Sequence, residues 1–187
     1  MADAPDFQGI ARIRTEDSCG MIALRADPEA AGALAVIGSR LGLDMPGPLA
    51  AQVSGDTAIL WMSPDEMLVI CPAADVPGHL DALHKAMAGH HAMALDVSDM
   101  RMRFTVAGVH AREVLAKLCP LDMSPEGFTP GTMRRTHLGQ VAAGIWIGAD
   151  GAFNIVCFRS VGAYVFDLLK VAAQPGSEVH LFTHPAA

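Results

Sequence analysis

Trp61-Met62-Ser63-Pro64-Asp65, which precedes the apolar run Met67-Leu68-Val69-Ile70-Cys71, has a counterpart later in the chain. The counterpart is Trp146-Ile147-Gly148-Ala149-Asp150, followed by the apolar run Ala152-Phe153-Asn154-Ile155-Val156-Cys157. The two tryptophans of the chain lie 85 positions apart (146 − 61 = 85), and Asp65 and Asp150 share this offset. A fixed internal offset is typical of a repeated structural unit. The sequence therefore predicts one architecture built from two like halves.

A second pair of similar segments supports the predicted repeat. Leu43-Asp44-Met45 corresponds to Leu121-Asp122-Met123 at an offset of 78 (121 − 43 = 78). A loop around Pro125 to Gly131 would account for the difference of seven residues (85 − 78 = 7). We therefore expect a first half over residues 1–95 and a second half over residues 96–187, which together form one compact unit.

Hydrophobic periodicity and turn residues predict the same order of elements in both halves. The first half is predicted to contain a strand at 21–26, a helix from a cap at 27–29 to about 41, strands at 49–53, 57–62 and 67–71, a helix at about 76–88 and a strand at 93–97. The second half is predicted to contain a strand at 101–106, a helix at about 111–118, strands at 133–138, 141–147 and 153–158, a helix at about 161–173 and a short edge strand at 177–182. Two pseudo-repeated β-α-β-β-β-α halves favour an α+β fold, with antiparallel sheets and helices packed on them.

Composition limits the classes of function. Hydrophobic residues make up 51% of the 187 residues, and the mean hydropathy is +0.32. No apolar stretch reaches the roughly 18–20 residues of a membrane span, so the surplus is expected in the core or on a surface that another protein covers. The net charge of −7 argues against binding of nucleic acid or of an anionic membrane.

Cysteine usage and the N-terminal sequence predict a cytoplasmic protein. Residues 1–20 are acidic and contain no apolar segment of the kind found in signal peptides. Cys19, Cys71, Cys119 and Cys157 are widely spaced, with no C-x-x-C pair for zinc or for dithiol chemistry. We expect reduced and mostly buried thiols.

The histidines do not form a recognisable metal site. His79 and His84 are five residues apart on a predicted helix and therefore lie on different faces, while His90 and His91 are adjacent. We expect surface or capping positions for these four. His110 also lacks the neighbours of a known nucleophile arrangement, as does His137. No catalytic residue and no metal ligand is predicted.

Glycines and arginines are the remaining candidates for a binding site. Gly144-Ile145-Trp146-Ile147-Gly148 is not followed by a helix, so it is interpreted as a strand and not as a phosphate-binding loop. Arg101 and Arg103 share one strand face, whereas Arg134 and Arg135 lie on opposite faces of theirs. A solvated face is the default expectation, and an anion-recognising or subunit-facing patch is the alternative.

The ordered motifs of the chain resemble those of a known family. Asp96-Val97-Ser98, then Phe104-Thr105-Val106-Ala107-Gly108 and Ala111, resembles the opening of the aminomethyltransferase-like, folate-binding superfamily, and Gly148-Ala149-Asp150-Gly151 resembles its G-E-D-G turn. The resemblance to the gamma subunit of heterotetrameric sarcosine oxidase is more specific. It covers roughly residues 22–173. It rests on these segments: Trp61-x-x-Pro64-Asp65-Glu66-x-Leu68, Cys119-Pro120-Leu121-Asp122, Phe128-Thr129-Pro130-Gly131, Thr136-x-Leu138, and Arg159-Ser160 with Tyr164.

The resemblance implies an aminomethyltransferase-like fold and a non-catalytic subunit. The complex would oxidatively demethylate sarcosine to glycine, forming methylenetetrahydrofolate and hydrogen peroxide. Its alpha, beta and delta subunits would be the partners of this chain and would carry FAD, FMN, NAD, tetrahydrofolate and zinc. No cofactor is expected in this chain, and Arg101, Arg103 and Arg159 are weak candidates for contact with one.

One departure from the family of catalytic folate binders bears on function. Those proteins usually place a glutamate after the G-E-D-G turn, whereas this strand reads Ala152-Phe153-Asn154-Ile155. The chain also has about half the length expected of a full aminomethyltransferase with its C-terminal barrel. A free-standing folate-binding protein or C1-transfer enzyme is the alternative. An iron–sulfur-assembly helper of the same fold would carry a K-G-C-Y-x-G-Q-E signature, which is absent here.

Overall fold

The computed structural model describes residues 5–16, 19–26 and 31–182, and within them the chain forms eleven strands and four α-helices. The strands are β1 (Asp6–Gln8), β2 (Arg12–Glu16), β3 (Cys19–Ala26), β4 (Ala51–Ser54), β5 (Thr57–Ser63), β6 (Glu66–Pro72), β7 (Ala92–Asp96), β8 (Arg101–Ala107), β9 (Met133–Leu138), β10 (Val141–Ile147) and β11 (Phe153–Phe158). The helices are α1 (Ala31–Leu41), α2 (Val76–Ala86), α3 (Ala111–Ala116) and α4 (Gly162–Ala172). The α+β class is confirmed. The predicted cap at 27–29 lies outside the described residues.

The elements form two compact units. The first unit takes its described residues from 18–101 and 131–134, and the second from 1–17, 102–130 and 135–187. In each unit one sheet carries two helices on one face, as the predicted order of elements indicates. No helix of the described part of the chain is both long enough and apolar enough to span a bilayer.

The sheet of the first unit has the strand order β4-β5-β6-β3-β7, with antiparallel neighbours throughout. Leu34 and Ile37 of α1 and Val76 and Leu83 of α2 are buried against it, in agreement with the predicted helix faces. They pack on alternate strand residues, among which Leu24 is fully buried. The helix-covered face therefore forms a complete small core.

The sheet of the second unit has the strand order β1-β2-β8-β11-β10-β9. Phe104 and Val106 of β8 point into a core that also contains Val114 of α3 and Val165 and Leu169 of α4. The strands β1 and β2 were not predicted from the sequence. Because β2 pairs with β8 in antiparallel register, residues 5–16 belong to the same unit as most of the second half of the chain.

The prediction of an edge strand at 177–182 is wrong. These residues are irregular, and the backbone N–H of Val179 donates to the side chain of Glu113 instead of to a neighbouring strand.

The pairing of the strands does not agree with the predicted offset of 85 residues. In the first unit Ile59 pairs with Val69, and in the second unit Ile145 pairs with Ile155, so equivalent ladder positions lie 86 residues apart (145 − 59 = 86). Cys71 and Cys157 keep this offset (157 − 71 = 86), and both thiols lie in the helix-covered cores.

The two tryptophan-containing segments, 85 residues apart, are consequently one residue out of register with the strand pairing. A shift of one residue turns a side chain to the other face of a sheet. Trp61 follows the alternation of core residue Ile59, whereas Trp146 alternates with core residues Ile145 and Ile147 and so lies on the opposite face. The inference that the two tryptophans are equivalent is therefore wrong, although the order of strands around them is the same.

Candidate functional site

A buried carboxylate fixes the last described segment of the chain to α3. The side chain of Glu113 is only 3% exposed, and it accepts a hydrogen bond from the backbone N–H of Val179. Lys117, one helical turn later, lies 3.6 Å from this carboxylate and donates to the carbonyl oxygens of Ala172 and Ser177. The two residues together tie segment 174–182 to the second unit.

The electrostatics of Glu113 agree with a structural anchor. Burial alone would raise the pKa of this carboxyl group, but the backbone N–H of Val179, the Lys117 ammonium, the backbone N–H of Leu181 and His110 together bring it below its ordinary value. Hydrogen bonds to the ionised form favour it. The group is therefore a stable carboxylate and not a general acid.

A second cluster holds the loop that carries the C-P-L-D and F-T-P-G motifs. One guanidinium nitrogen of Arg112, on α3, donates to the carbonyl oxygens of Met123, Ser124 and Phe128 at 2.9–3.0 Å. The guanidinium also lies over the ring of Phe153, 5.1 Å from its centroid. The motifs therefore correspond to a folded loop with an arginine at its centre, a role that the sequence reasoning missed.

The loop is closed further by its own side chains. Asp122 accepts a hydrogen bond from the backbone N–H of Ser124, whose hydroxyl group accepts one from the N–H of Gly127. A Cβ atom at Gly127 would lie 2.3 Å from a carboxylate oxygen of Asp122, so this glycine allows the close approach. Phe128 is buried, and its ring centroid lies 5.7 Å from that of Phe153.

The predicted arginines are mostly engaged within the chain. The side chains of Arg101 and Arg103 are 16% and 14% exposed, and they lie 3.8 Å from Glu66 and Glu16. The default of a solvated face is therefore wrong for these two, because both side chains are largely buried beside a carboxylate of their own unit. Arg159 is exposed, in a short 3-10 turn after β11.

The other two arginines differ from each other. Arg134 donates from its side chain to the carbonyl oxygen of Leu49 at 2.9 Å, while Arg135 is exposed. Leu49 has φ of 60°, a conformation that disfavours residues with a Cβ atom. The contact with Arg134 helps to hold this strained turn.

The expectation of surface positions is confirmed for His90 and His91 and is wrong for His79. His79 is buried on α2, and its Nδ1 accepts a hydrogen bond from the Arg40 guanidinium at 3.0 Å. Burial lowers the pKa of His79, the positive charge of Arg40 lowers it further, and Asp75 opposes the shift. The imidazole is therefore held in its neutral form.

This environment predicts a pH dependence of stability. Below about pH 6.5 the unfolded chain binds a proton at His79 that the folded chain resists, so the free energy of unfolding falls as the pH falls through this range. Replacing His79 by glutamine, which keeps an acceptor for Arg40, should reduce the loss between pH 7.5 and 5.5. Urea unfolding at both pH values measures this loss in the free energy of unfolding, and His90→Gln is the control at an exposed histidine. An identical loss in H79Q and the unmodified chain would contradict the assignment.

The thiols are mostly buried, as the sequence predicts. Among the described residues Cys71, Cys119 and Cys157 are buried and Cys19 is half-buried, and none forms a disulfide. Burial raises the pKa of Cys71 to about 11 and also raises that of Cys119. Neither group is a thiolate near neutral pH. Residues 5–16, 19–26 and 31–182 also contain no group of three His, Cys, Asp or Glu side chains arranged to hold a metal ion.

The strand that lacks the glutamate of the folate binders makes local polar contacts with the turn before it. In the turn before it, the Ala152 N–H donates to Asp150, and Gly151 adopts φ of 81°. Asn154 is buried, and its side-chain amide donates to the carbonyl oxygen of Ala152 at 3.3 Å. The amide therefore supports the turn.

Comparisons with known proteins agree with this arrangement. The sarcosine oxidase gamma subunit family matches residues 24–174. The chain is similar to the sarcosine oxidase subunit gamma of Corynebacterium sp. (strain U-96), with 33% identity over 138 residues that cover 72% of this chain and 65% of that protein. It is similar to the corresponding subunit of Arthrobacter sp., with 33% identity over 72% of this chain and 66% of that protein. The chain thus spans slightly less than two thirds of the length of these relatives.

Two solved structures have the same fold. One is the heterotetrameric sarcosine oxidase from Corynebacterium sp. U-96 in complex with pyrrole 2-carboxylate, with a TM-score of 0.79, 26% identity, and coverage of 97% of this chain and 91% of that chain. The other is the glycine cleavage system aminomethyltransferase T from Bartonella henselae, with a TM-score of 0.63, 13% identity, and coverage of 90% and 48%. The second similarity concerns the fold alone, and it confirms the expected aminomethyltransferase-like fold. The chain belongs to the sarcosine oxidase gamma subunit family.

Proposed function

We propose that this chain is the non-catalytic gamma subunit of a heterotetrameric sarcosine oxidase. The complex would demethylate sarcosine oxidatively to glycine, with formation of methylenetetrahydrofolate and hydrogen peroxide. Alpha, beta and delta subunits would be its partners and would carry FAD, FMN, NAD, tetrahydrofolate and zinc. The observation that carries the proposal is the similarity to a chain of heterotetrameric sarcosine oxidase over 97% of this chain and 91% of that one. We place the complex in the cytoplasm.

The use of the charged side chains supports a scaffold role. Arg112, Glu113 and Lys117 hold loop and C-terminal backbone of the same unit. Of the candidate arginines, Arg101 and Arg103 lie beside carboxylates of this chain. The hydrogen bonds of Arg112, Glu113 and Lys117 stabilise the fold of this unit and leave these side chains little capacity to bind a cofactor. We therefore assign no cofactor to this chain.

We also propose that the chain arose by duplication of one β-α-β-β-β-α half, with halves near residues 1–95 and 96–187. The supporting observation is that strand order β4-β5-β6-β3 in one sheet matches β9-β10-β11-β8 in the other. The shared 86-residue ladder offset fits the same origin.

Co-expression tests the proposed function. A tagged form of this chain, produced together with alpha, beta and delta subunits, is expected to retain all three in stoichiometric amounts through affinity and size-exclusion chromatography. The chain produced alone is expected to show no micromolar binding of tetrahydrofolate by calorimetry. Failure of the subunits to co-purify would contradict the proposal, and micromolar binding of tetrahydrofolate by the isolated chain would favour the free-standing folate-binding alternative.

A further inference from the structure

The margin of the first unit's sheet is apolar and open to solvent. Strand β7 is an edge strand, paired on one side with β3. Its Ala94 side chain points into the helix-covered core, while Met93 and Leu95, on the other face, are 43% and 48% exposed. Met100, in the turn that follows, is exposed to a similar extent. Exposed apolar side chains grouped on one strand are typical of a binding surface.

The backbone of this edge is already partly occupied. Val97 N–H donates to the Met21 carbonyl oxygen on β3, so by alternation the backbone groups of Ala94 face away from the sheet. The carbonyl oxygen of Ala94 lies 3.0 Å from Nε2 of His84, which reaches the edge from α2. Addition of a further strand would have to displace this histidine. Contact through the side chains of Met93 and Leu95 requires no such change.

Acidic residues border the apolar strip that Met93, Leu95 and Met100 form. Asp96 and Asp99 lie at one end of β7, and Asp65 lies at the other end, beside a cleft of about 340 Å³ that Arg25 and Met93 also line. All three aspartates are exposed.

Of the nearby arginines, Arg25 is half-exposed at the Asp65 end of the margin, and Arg101 is mostly buried. Arg25 and Arg101 approach the same carboxylate, that of Glu66, at 3.0 and 3.8 Å. Arg40 donates to His79 on the helix side of the unit. A surface that complements this border would therefore present lysine or arginine around an apolar centre.

We infer that the β7 margin, defined as Met93, Leu95 and Met100 with Asp65, Asp96 and Asp99 around them, docks another subunit of the oxidase complex through a surface that is apolar at its centre and basic at its border. The inference rests on the proposed function. Burial of the apolar strip supplies affinity, and the acidic border selects and orients the partner.

Leu95→Lys tests the inference in the co-expressed complex. The substitution leaves an exposed edge strand intact but would place an ammonium group in the desolvated centre of the contact. We expect binding to the other subunits to weaken at least about tenfold, with an unchanged melting temperature of the isolated chain. Val171→Lys is the matched control, because Val171 is 68% exposed and lies in the last turn of α4. V171K should bind as the unmodified chain does.

Each outcome separates this inference from the proposed function. Co-purification of the unmodified chain with equally tight binding of L95K would overturn the docking surface and leave the subunit assignment standing. Failure of the unmodified chain to co-purify with the other subunits would contradict both the docking surface and the proposed function. If the isolated chain sediments as a dimer and L95K as a monomer, the margin joins two copies of this chain and the inference is wrong. Asp99→Asn should weaken binding at low salt more than at high salt, and equal effects at both would contradict the basic border of the partner.

Discussion

Replacing Glu113 by alanine is expected to lower the free energy of unfolding by about 3 kcal/mol. The substitution removes a buried acceptor from the backbone N–H of Val179 and leaves Lys117 without its carboxylate neighbour. Segment 174–182 should then detach before the rest of the second unit. Chemical unfolding measures the loss of stability, and limited proteolysis measures the detachment through faster cleavage within this segment.

Two variants delimit this prediction. Glu113→Gln keeps the shape of the side chain but removes its charge, so its loss should be smaller than that of the alanine variant. Glu126→Ala changes an exposed carboxylate on a loop and should be near neutral. An E113A protein with unaltered stability and unaltered cleavage would show that the segment is held by other contacts.

Replacing Phe128 by alanine should have the larger effect, a loss of about 3–5 kcal/mol in the free energy of unfolding. Phe128 is buried between the motif loop and the sheet, its ring packs near Phe153, and its carbonyl oxygen accepts from Arg112. The alanine variant would leave a cavity and would loosen the backbone that Arg112 holds. Calorimetric or denaturant unfolding of the isolated chain gives the value.

Phe158→Ala is the matched control, because this phenylalanine at the end of β11 is half exposed. Its loss should stay well below that of F128A. Equal losses in the two variants would mean that the motif loop contributes no more to the fold than a surface position, and the structural interpretation of the motifs would have to be abandoned.

Apolar runs and glycine turns made much of the fold predictable. The bounds of β9, β10 and β11 agree with the sequence prediction, because β10 and β11 are nearly continuous apolar runs and glycine-containing turns separate the three strands. Strand β1 escaped notice because its three residues contain one apolar side chain, Phe7. β2 escaped because Thr15 occupies a buried position where an apolar residue would have marked the pattern.

The pairing of the strands could not be predicted from the positions of the tryptophans. Two identical rare residues suggest that the segments around them should be aligned. Pairing in a sheet, however, depends on the face of the sheet on which each side chain lies. The apolar positions in the cores, such as Val69 and Ile155, keep the offset of 86, whereas Trp61 and Trp146 do not. A search that aligned the alternation of both strands would have found the offset.

The structural clusters were harder to predict because their partners are distant in sequence. Arg112 binds carbonyl oxygens up to 16 positions away, and Glu113 binds a backbone N–H 66 positions away. Nothing in the local pattern indicates such partners. The spacing of Glu113 and Lys117, one helical turn apart, was the available signal. His79 was misplaced for the same reason, since Arg40 lies 39 residues from it in sequence.

The composition of the assembled complex is the most direct test of the proposed role of this chain. Native mass spectrometry of the complex purified after co-expression with alpha, beta and delta subunits would weigh the intact assembly and its dissociation products. We predict a single assembly of four different subunits that contains one copy of this 19.6 kDa chain. An assembly of alpha, beta and delta subunits that forms fully and excludes this chain would contradict the account.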